Sequence, residues 1–301
     1  QAPFPSKPIR FIVSFPPGGS SDLVARALAP RMAERLGQQV TVENRPGAGG
    51  NIGVDAVAKS PPDGHTIGLG AAGALAINPS LYPNMPFDPL KDLAPVSLLA
   101  LIPIVIAAHP SVGATNVREL IAVAKARPGQ LSFGTTGQGS AMHLAGELLK
   151  MMAEISMVHV PYKGSGPAAS DLAGGQLPLA IVDLTSVLPH IRSGRVRAIA
   201  VTGAARSVSA PEIPTVAESG VPGFDAVGWF GVVAPANTPA PAIARLNAEI
   251  VAGMQVPEIR ERLLAGGAEP ATSTPEAFGR FIQAEVPKWA NVIKAAGVKL
   301  N

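Results

Sequence analysis

The chain contains no cysteine. That absence excludes disulfides, thiol catalysis and thiolate metal sites, and it leaves the compartment open. Charge is also scarce: Asp, Glu, Lys and Arg make up 15% of the 301 residues, and their balance is only +3. The basic residues are scattered, so there is no nucleic-acid footprint and no nucleic-acid partner is expected. No apolar run reaches transmembrane length, so no membrane insertion is expected. The longest run, Val96 to Ala108, is broken by Pro103 and reads as buried strand. His65, His109, His143, His159 and His190 show no metal-ligand spacing, so neither a metal nor another cofactor is expected.

What is present is apolar and heavily punctuated. Hydrophobic residues make up 47%, the composition of a well-cored soluble protein. The 31 prolines and 32 glycines are spread between elements rather than clustered. The length exceeds one average domain, and two are expected. From the start, Gln1-Ala2-Pro3-Phe4-Pro5, with no methionine, a mature chain after signal-peptide cleavage, or a trimmed one, is expected.

One stretch organises the rest. Phe11 to Phe15 reads as a buried strand, Pro16-Pro17-Gly18-Gly19 as a turn with bare backbone at its tip, and Leu23 onward as a helix. Ser20 or Ser21 stands where an N-cap belongs, with Asp22 in the first turn. Strand, glycine turn and helix aim free N–H groups and a positive helix end at one point, which makes an anion site. An ordinary strand-to-helix corner fits the same residues.

The helix carries Val24, Leu28, Met32 and Leu36 on one row, stops at Gly37 and should bend at Pro30. Further strands are expected at 39–43, 66–69, 131–133, 158–162, 179–183, 197–201 and 227–234. Helices are expected at 52–59, 117–126, from Ser140 onward, after Pro167 as an N1 proline, and at 241–254, 257–265 and 275–296. Alternation of this kind implies parallel sheets covered on both faces, with ligands outside the carboxyl ends of the strands. The loops at 15–22, 70–74, 134–140, 162–167 and around Asp183 all follow strands. The small residues from Gly68 to Ala74 allow close approach of something to the backbone.

Several chemistries fail on spacing. Gly47-Ala48-Gly49-Gly50-Asn51-Ile52-Gly53 puts Ile52 where a dinucleotide fingerprint needs its third glycine. No lysine follows Gly18-Gly19, so a P-loop fails too. Ser140 lacks a G-x-S-x-G elbow and, with His143, is more simply an N-cap and its N3 residue. Asp183 fits a general base, a ligand contact or a helix cap, with the last two favoured because no second acid is near. What survives is many backbone donors, capping hydroxyls, one loop lysine (Lys163) and no assembled catalytic set. That describes a site that holds a small anion without transforming it.

The motifs resemble those of a known family. Phe15-Pro16-Pro17-Gly18-Gly19-Ser20-Ser21-Asp22 with Ala25-Arg26, and Val42-Glu43-Asn44-Arg45-Pro46-Gly47-Ala48-Gly49-Gly50-Asn51, are similar to the Bug family, extracytoplasmic solute receptors of tripartite tricarboxylate transporters. So are Pro62-Asp63-Gly64-His65-Thr66, Ala76-Ile77-Asn78-Pro79-Ser80-Leu81-Tyr82 and Val160-Pro161-Tyr162-Lys163-Gly164. Pro189-His190-Ile191 and Ala198-Ile199-Ala200-Val201-Thr202 complete a match that spans nearly the whole chain.

The resemblance implies two doubly wound α/β domains of the periplasmic-binding-protein type II kind, joined by two crossing hinge strands, with the ligand cleft between them. Domain one is expected at 1–103 plus 227–301 and domain two at 104–226, with hinges near 101–107 and 225–231. It further implies a periplasmic, monomeric, non-enzymatic receptor. Its expected ligand is a small carboxylate: an acidic amino acid, a di- or tricarboxylate, or an aromatic monocarboxylate. The implied partners are the membrane components of a tripartite transporter, or a sensor protein. Carried over by position, the ligand contacts are Phe15, Gly18, Gly19, Ser20, Asp22, Thr135, Gly139, Ser140 and His143, then Tyr162, Lys163, Gly164 and Asp183. Ala71 and Ala72 stand where family members often carry hydroxyls, which bears on specificity. An anion-handling, hydrolase-like enzyme on the same fold is the alternative, since fold alone does not fix function.

Overall fold

The computed structural model describes residues 3–300. Gln1 and Ala2, on which the cleavage expectation falls, and Asn301 lie outside the described residues. The chain forms two compact units, one of residues up to Leu101 with Trp229–Ala290, the other of Ile102–Gly228 with the residues from Asn291 onward. The last turn of the C-terminal helix and the tail after it therefore group with the second unit, where the sequence reading keeps everything from 227 in the first.

The first unit opens with β1 (Ile9–Val13), α1 (Ser20–Leu36), β2 (Val40–Asn44), α2 (Asn51–Ala58), β3 (Thr66–Ala71), α3 (Asn78–Leu81) and β4 (Leu93–Ile102). The second holds β5 (Ile104–Ala108), α4 (Val117–Ala126), β6 (Ser132–Thr135), α5 (Ala141–Ala153), β7 (Val158–Pro161), α6 (Ser165–Ala173), β8 (Leu179–Asp183), α7 (Leu184–Arg192) and β9 (Arg197–Val201). β10 (Gly228–Pro235), α8 (Ala240–Met254), α9 (Pro257–Ala265), β11 (Glu269–Pro270) and most of α10 (Pro275–Ala296) return to the first. Among the described residues no helix is long and apolar enough to cross a membrane.

Each unit has its own sheet, in the order β11-β4-β10-β3-β1-β2 and β7-β6-β8-β5-β9. Both are mixed rather than all-parallel, a correction to the sequence reading. β1 pairs in parallel with β2 and β3, and β6 with β7 and β8. The strands that begin just after the chain changes sheet run the other way: β5 is antiparallel to β8 and β9, and β10 to β3. A helical crossover forces parallel pairing, whereas β5 follows β4 with only Pro103 between them. The apolar run from Val96 to Ala108 is thus two strands, split where proline removes a ladder donor.

The α1 row is buried as its spacing requires, with Val24, Leu28, Met32 and Leu36 all under 9% exposed. Gly37 closes the helix in the left-handed region at φ 70°, its N–H bonded to Ala33 O. The helix runs through Pro30, which stands on the solvent side. Pro167 is the third residue of α6, not its first, still within the turn whose N–H groups lack helical partners. α7 and a π turn at Gly73–Ile77 were not expected. In β3, the close approach anticipated around Gly68 is that of α2: a Cβ there collides with Val57. That glycine serves packing and not a ligand.

Candidate functional site

In the first unit the loops after β1, β2 and β3 lie side by side at the carboxyl ends of three adjacent parallel strands. They touch: a Cβ built at Gly50 lies 3.4 Å from Ala74 Cβ and 3.6 Å from Ser14 Cβ. Ser14 is buried and donates to Leu69 O at 2.9 Å, tying β1 to β3 just before the turn.

The tip is held by Asp22. This carboxylate is 2% exposed and accepts the Gly18 N–H at 2.9 Å, Arg26 Nε at 3.0 Å and Asn44 Nδ2 at 2.8 Å. Asn44 also donates to Phe15 O at 3.0 Å, so one amide at the end of β2 ties the turn and the helix together. Burial pushes the Asp22 pKa up, but the bonds from Gly18, Asn44 and Arg26 outweigh it and leave it below the usual carboxylate range. Gly18 takes φ +94°, a conformation that favours glycine.

Gly19 is the helix N-cap, at φ −77° and ψ 171°, and no side chain caps the helix. This corrects the expectation that Ser20 or Ser21 caps it. Gly18 and Gly19 are exposed, and among the described residues the N–H groups of Gly19, Ser20 and Ser21 have no acceptor. Those are the orphan donors of a helix start, at its positive end. Arg26 is spoken for by Asp22, and Arg45 lies 3.7 Å from Glu43, which Arg10 also grips at 2.8 Å. The tip therefore offers amides and no spare cation. Ala72 is buried and Ala71 half-buried, where β3 turns into the π turn. Asn78, which donates to Asn51 Oδ1 at 2.8 Å and Gly49 O at 3.3 Å, holds the neighbouring glycine loop.

The second unit repeats the plan with different fastenings. Ser140 caps α5, accepting the His143 N–H at 3.1 Å and donating to Gly137 O at 2.7 Å. The expected cap and N3 residue are both in place, and the hydroxyl is committed to the loop. His143 Nδ1 accepts the Gly139 N–H at 3.0 Å, so these two residues are partners of one another. Thr135, fully buried, bonds His159 Nε2 through its hydroxyl at 2.6 Å. Among the described residues the N–H groups of Thr136 and Gln138 have no acceptor.

Next to this loop, Tyr162 N–H donates to Thr135 O at 3.1 Å and Gly164 N–H to Thr136 O at 3.2 Å. The 162–164 segment is thus stitched to the end of β6. Tyr162 Oη donates to Asp171 at 2.8 Å, and burial first, then Asp171, pushes the phenol up to about 12. Lys163 is exposed. Asp183 Oδ1 accepts Ser186 N–H at 3.0 Å and Ser186 Oγ at 2.7 Å, which makes it the cap of α7. Ser165, not singled out from sequence, has a buried hydroxyl with no partner among the described residues, at the start of α6. Asn44 was likewise missed as a brace. Its signal is positional, since it stands opposite Val13 at the end of the strand beside β1. Among the described residues no His, Asp and Glu cluster is suited to a metal ion.

Comparison with known proteins places these loops in a family context. Residues 24–298 match the family model described as "Tripartite tricarboxylate transporter family receptor". Protein BugT of Bordetella pertussis is 44% identical over 299 residues, covering 99% of this chain and 92% of the relative. Among solved structures, R. palustris Rpa4515 with adipate is 37% identical with a TM-score of 0.79, covering 99% of both chains. MatC from Rhodopseudomonas palustris with bound malate is 31% identical with a TM-score of 0.74, covering 96% of this chain and all of that one.

Proposed function

Since this chain belongs to the tripartite tricarboxylate transporter receptor family, a family of solute receptors and not of enzymes, we propose that it captures a small carboxylate in the periplasm. By this reading the cargo passes to the membrane components of a tripartite transporter. The observation that carries the proposal is the β1–α1 tip: the N–H groups of Gly19, Ser20 and Ser21 stand without acceptors, on a turn that a buried carboxylate holds in shape. A carboxylate oxygen is the acceptor such donors suit.

The site residues then divide by task. Gly19, Ser20 and Ser21 present donors, as do Thr136 and Gln138 in the second unit, while Phe15 contributes a carbonyl that Asn44 grips. Gly18, Asp22, Thr135, Gly139, Ser140, His143, Tyr162 and Asp183 hold those loops in shape. Gly164 sets the turn beside Lys163. Ala71 and Ala72 bring no hydroxyl to the first unit's site, so they read the body of the ligand by shape alone. Backbone donors recognise a carboxylate and not what it is attached to, which agrees with adipate and malate both being ligands of structural neighbours.

A thermal-shift panel tests the reading, with adipate, malate, acidic amino acids, citrate and benzoate set against nucleotides and neutral sugars. One or a few carboxylates should raise Tm, by the equivalent of about 2.7 kcal/mol at a hundred times Kd. Stabilisation by a sugar or nucleotide with none by any carboxylate overturns the proposal.

A further inference from the structure

Two imidazoles lie stacked beneath the β6–α5 loop, their ring centroids 3.6 Å apart and their planes 9° from parallel. His143, 3% exposed, accepts the Gly139 N–H at Nδ1. An amide nitrogen only donates, so this ring nitrogen carries no proton, and the neutral ring bears its proton on Nε2, 3.3 Å from Glu147 Oε1. His159, on the adjacent strand β7, meets Thr135 Oγ1 at 2.6 Å. That hydroxyl accepts the Gly137 N–H at 3.3 Å. It also lies 3.4 Å from Gly137 O, so Thr135 ties the ring of His159 to the first residues of the turn. Both ends of the glycine loop therefore hang on imidazole rings, and at Gly139 the ring nitrogen is the acceptor.

We propose that His143 and His159 are positioning residues for the second unit's loop, and that a proton on His143 Nδ1 unlatches it. The consequence for a ligand rests on reading this loop as a carboxylate site; the latch itself does not. With Nδ1 protonated, two donors face one another at 3.0 Å, and the N–H of buried Gly139 loses its acceptor. The charged groups around the pair are Glu147 and Lys150 of α5, themselves 3.0 Å apart, with His159 facing from β7. Burial, then the neighbouring His143, lowers the His159 pKa to about 4, so His159 stays neutral above that pH.

The test needs no ligand, so its outcome is independent of the transport reading. Nitrogen-15 NMR on the full chain should show His143 as the Nε2–H tautomer near neutral pH, with a protected Gly139 amide. Once acid protonates His143, as its own ring-nitrogen shifts report, Gly139 protection should drop about tenfold or more after correction for intrinsic exchange. His143→Asn keeps an oxygen acceptor attached to Cγ but does not titrate, so protection should persist at every pH. His143→Leu should lose it at every pH. An Nδ1–H tautomer in the unaltered chain, or Gly139 protection that stays flat while His143 titrates, overturns the proposal. So does equal loss in the Asn and Leu variants.

Discussion

The β1–α1 and β6–α5 loops share one covalent plan, strand, glycine turn and helix, yet they are fastened by opposite chemistry. In the first, a buried carboxylate inside the helix takes the Gly18 N–H, and the N-cap is a glycine with no side chain to spend on the helix. In the second, a histidine ring takes the Gly139 N–H, and a serine cap occupies the His143 N–H. The first loop consequently keeps a consecutive run of free amides, at Gly19, Ser20 and Ser21. The second keeps shorter runs, at Thr136 and Gln138 in the turn and at Ala141 and Met142 at the start of α5, because Ser140 takes the next N–H. Similar sequence motifs can thus present donors on quite different supports, and the support decides which donors are left over.

The sharpest way to break the comparison is to block the first tip without disturbing its support. Gly19 has an ordinary φ of −77°, and a Cβ there meets nothing within 4 Å. Gly19→Val should therefore fold with an unchanged circular dichroism spectrum and Tm. Its methyl groups stand where a ligand must meet backbone, and affinity for the best carboxylate of the panel should fall about a hundredfold or more, equivalent to about 2.7 kcal/mol. Wild-type affinity in calorimetry would show that the tip is not the anion site.

Removing the supports should separate the loops in stability. Asp22→Ala strips a charged acceptor from Gly18, Asn44 and Arg26 and should cost about 2–3 kcal/mol, the scale for hydrogen bonds to an ionised group. Ser140→Ala removes a neutral cap and should cost about 1 kcal/mol. Acid sharpens the same contrast. The folded Asp22 pKa lies below its ordinary value of 3.8. Its contribution is therefore complete above that value and is lost only as pH falls further, through the folded pKa. Hydrogen exchange over residues 18–22 should stay level over the pH interval in which the His143 ring nitrogens report protonation, where that of Gly139 rises. Chemical denaturation of the two variants decides the ranking, and equal losses would mean that the two supports are equivalent.

Much of the architecture is legible in sequence because it is local. The α4 bounds follow from the apolar period of Val117 to Ala126 and the stop at Arg127-Pro128-Gly129. The caps at Ser140 and Asp183 follow from a hydroxyl or carboxylate just before a helical run. Strand direction was not legible, because Pro103 marks a break but not that the chain enters another sheet. The cap of α1 was misread for a similar reason. Asp22 bonds backward to Gly18 only because Asn44, 22 residues away, completes its shell from the neighbouring strand. Gly68 looked like ligand-facing backbone until α2 was seen against it. Local signals name the element, whereas the partner that decides a residue's task comes from elsewhere in the chain.

The smallest expected effect bears on whether either loop needs a charged side chain. Lys163 is exposed and makes no ion pair among the described residues, which makes it the natural anchor if a side chain holds the anion. The backbone N–H groups on either side of it are already in use, since those of Tyr162 and Gly164 bond the end of β6. An exposed ammonium is well hydrated and screened by salt, so it contributes on the scale of a surface ion pair, about 0–1 kcal/mol. Lys163→Met keeps the length and apolar stem of the side chain and removes only the charge. Affinity for the same carboxylate should fall by no more than about tenfold, or about 1.4 kcal/mol, and the fall should shrink at high salt. A hundredfold loss in Lys163→Met, with Gly19→Val binding normally, would move the anion from the first unit's backbone to the second unit's lysine.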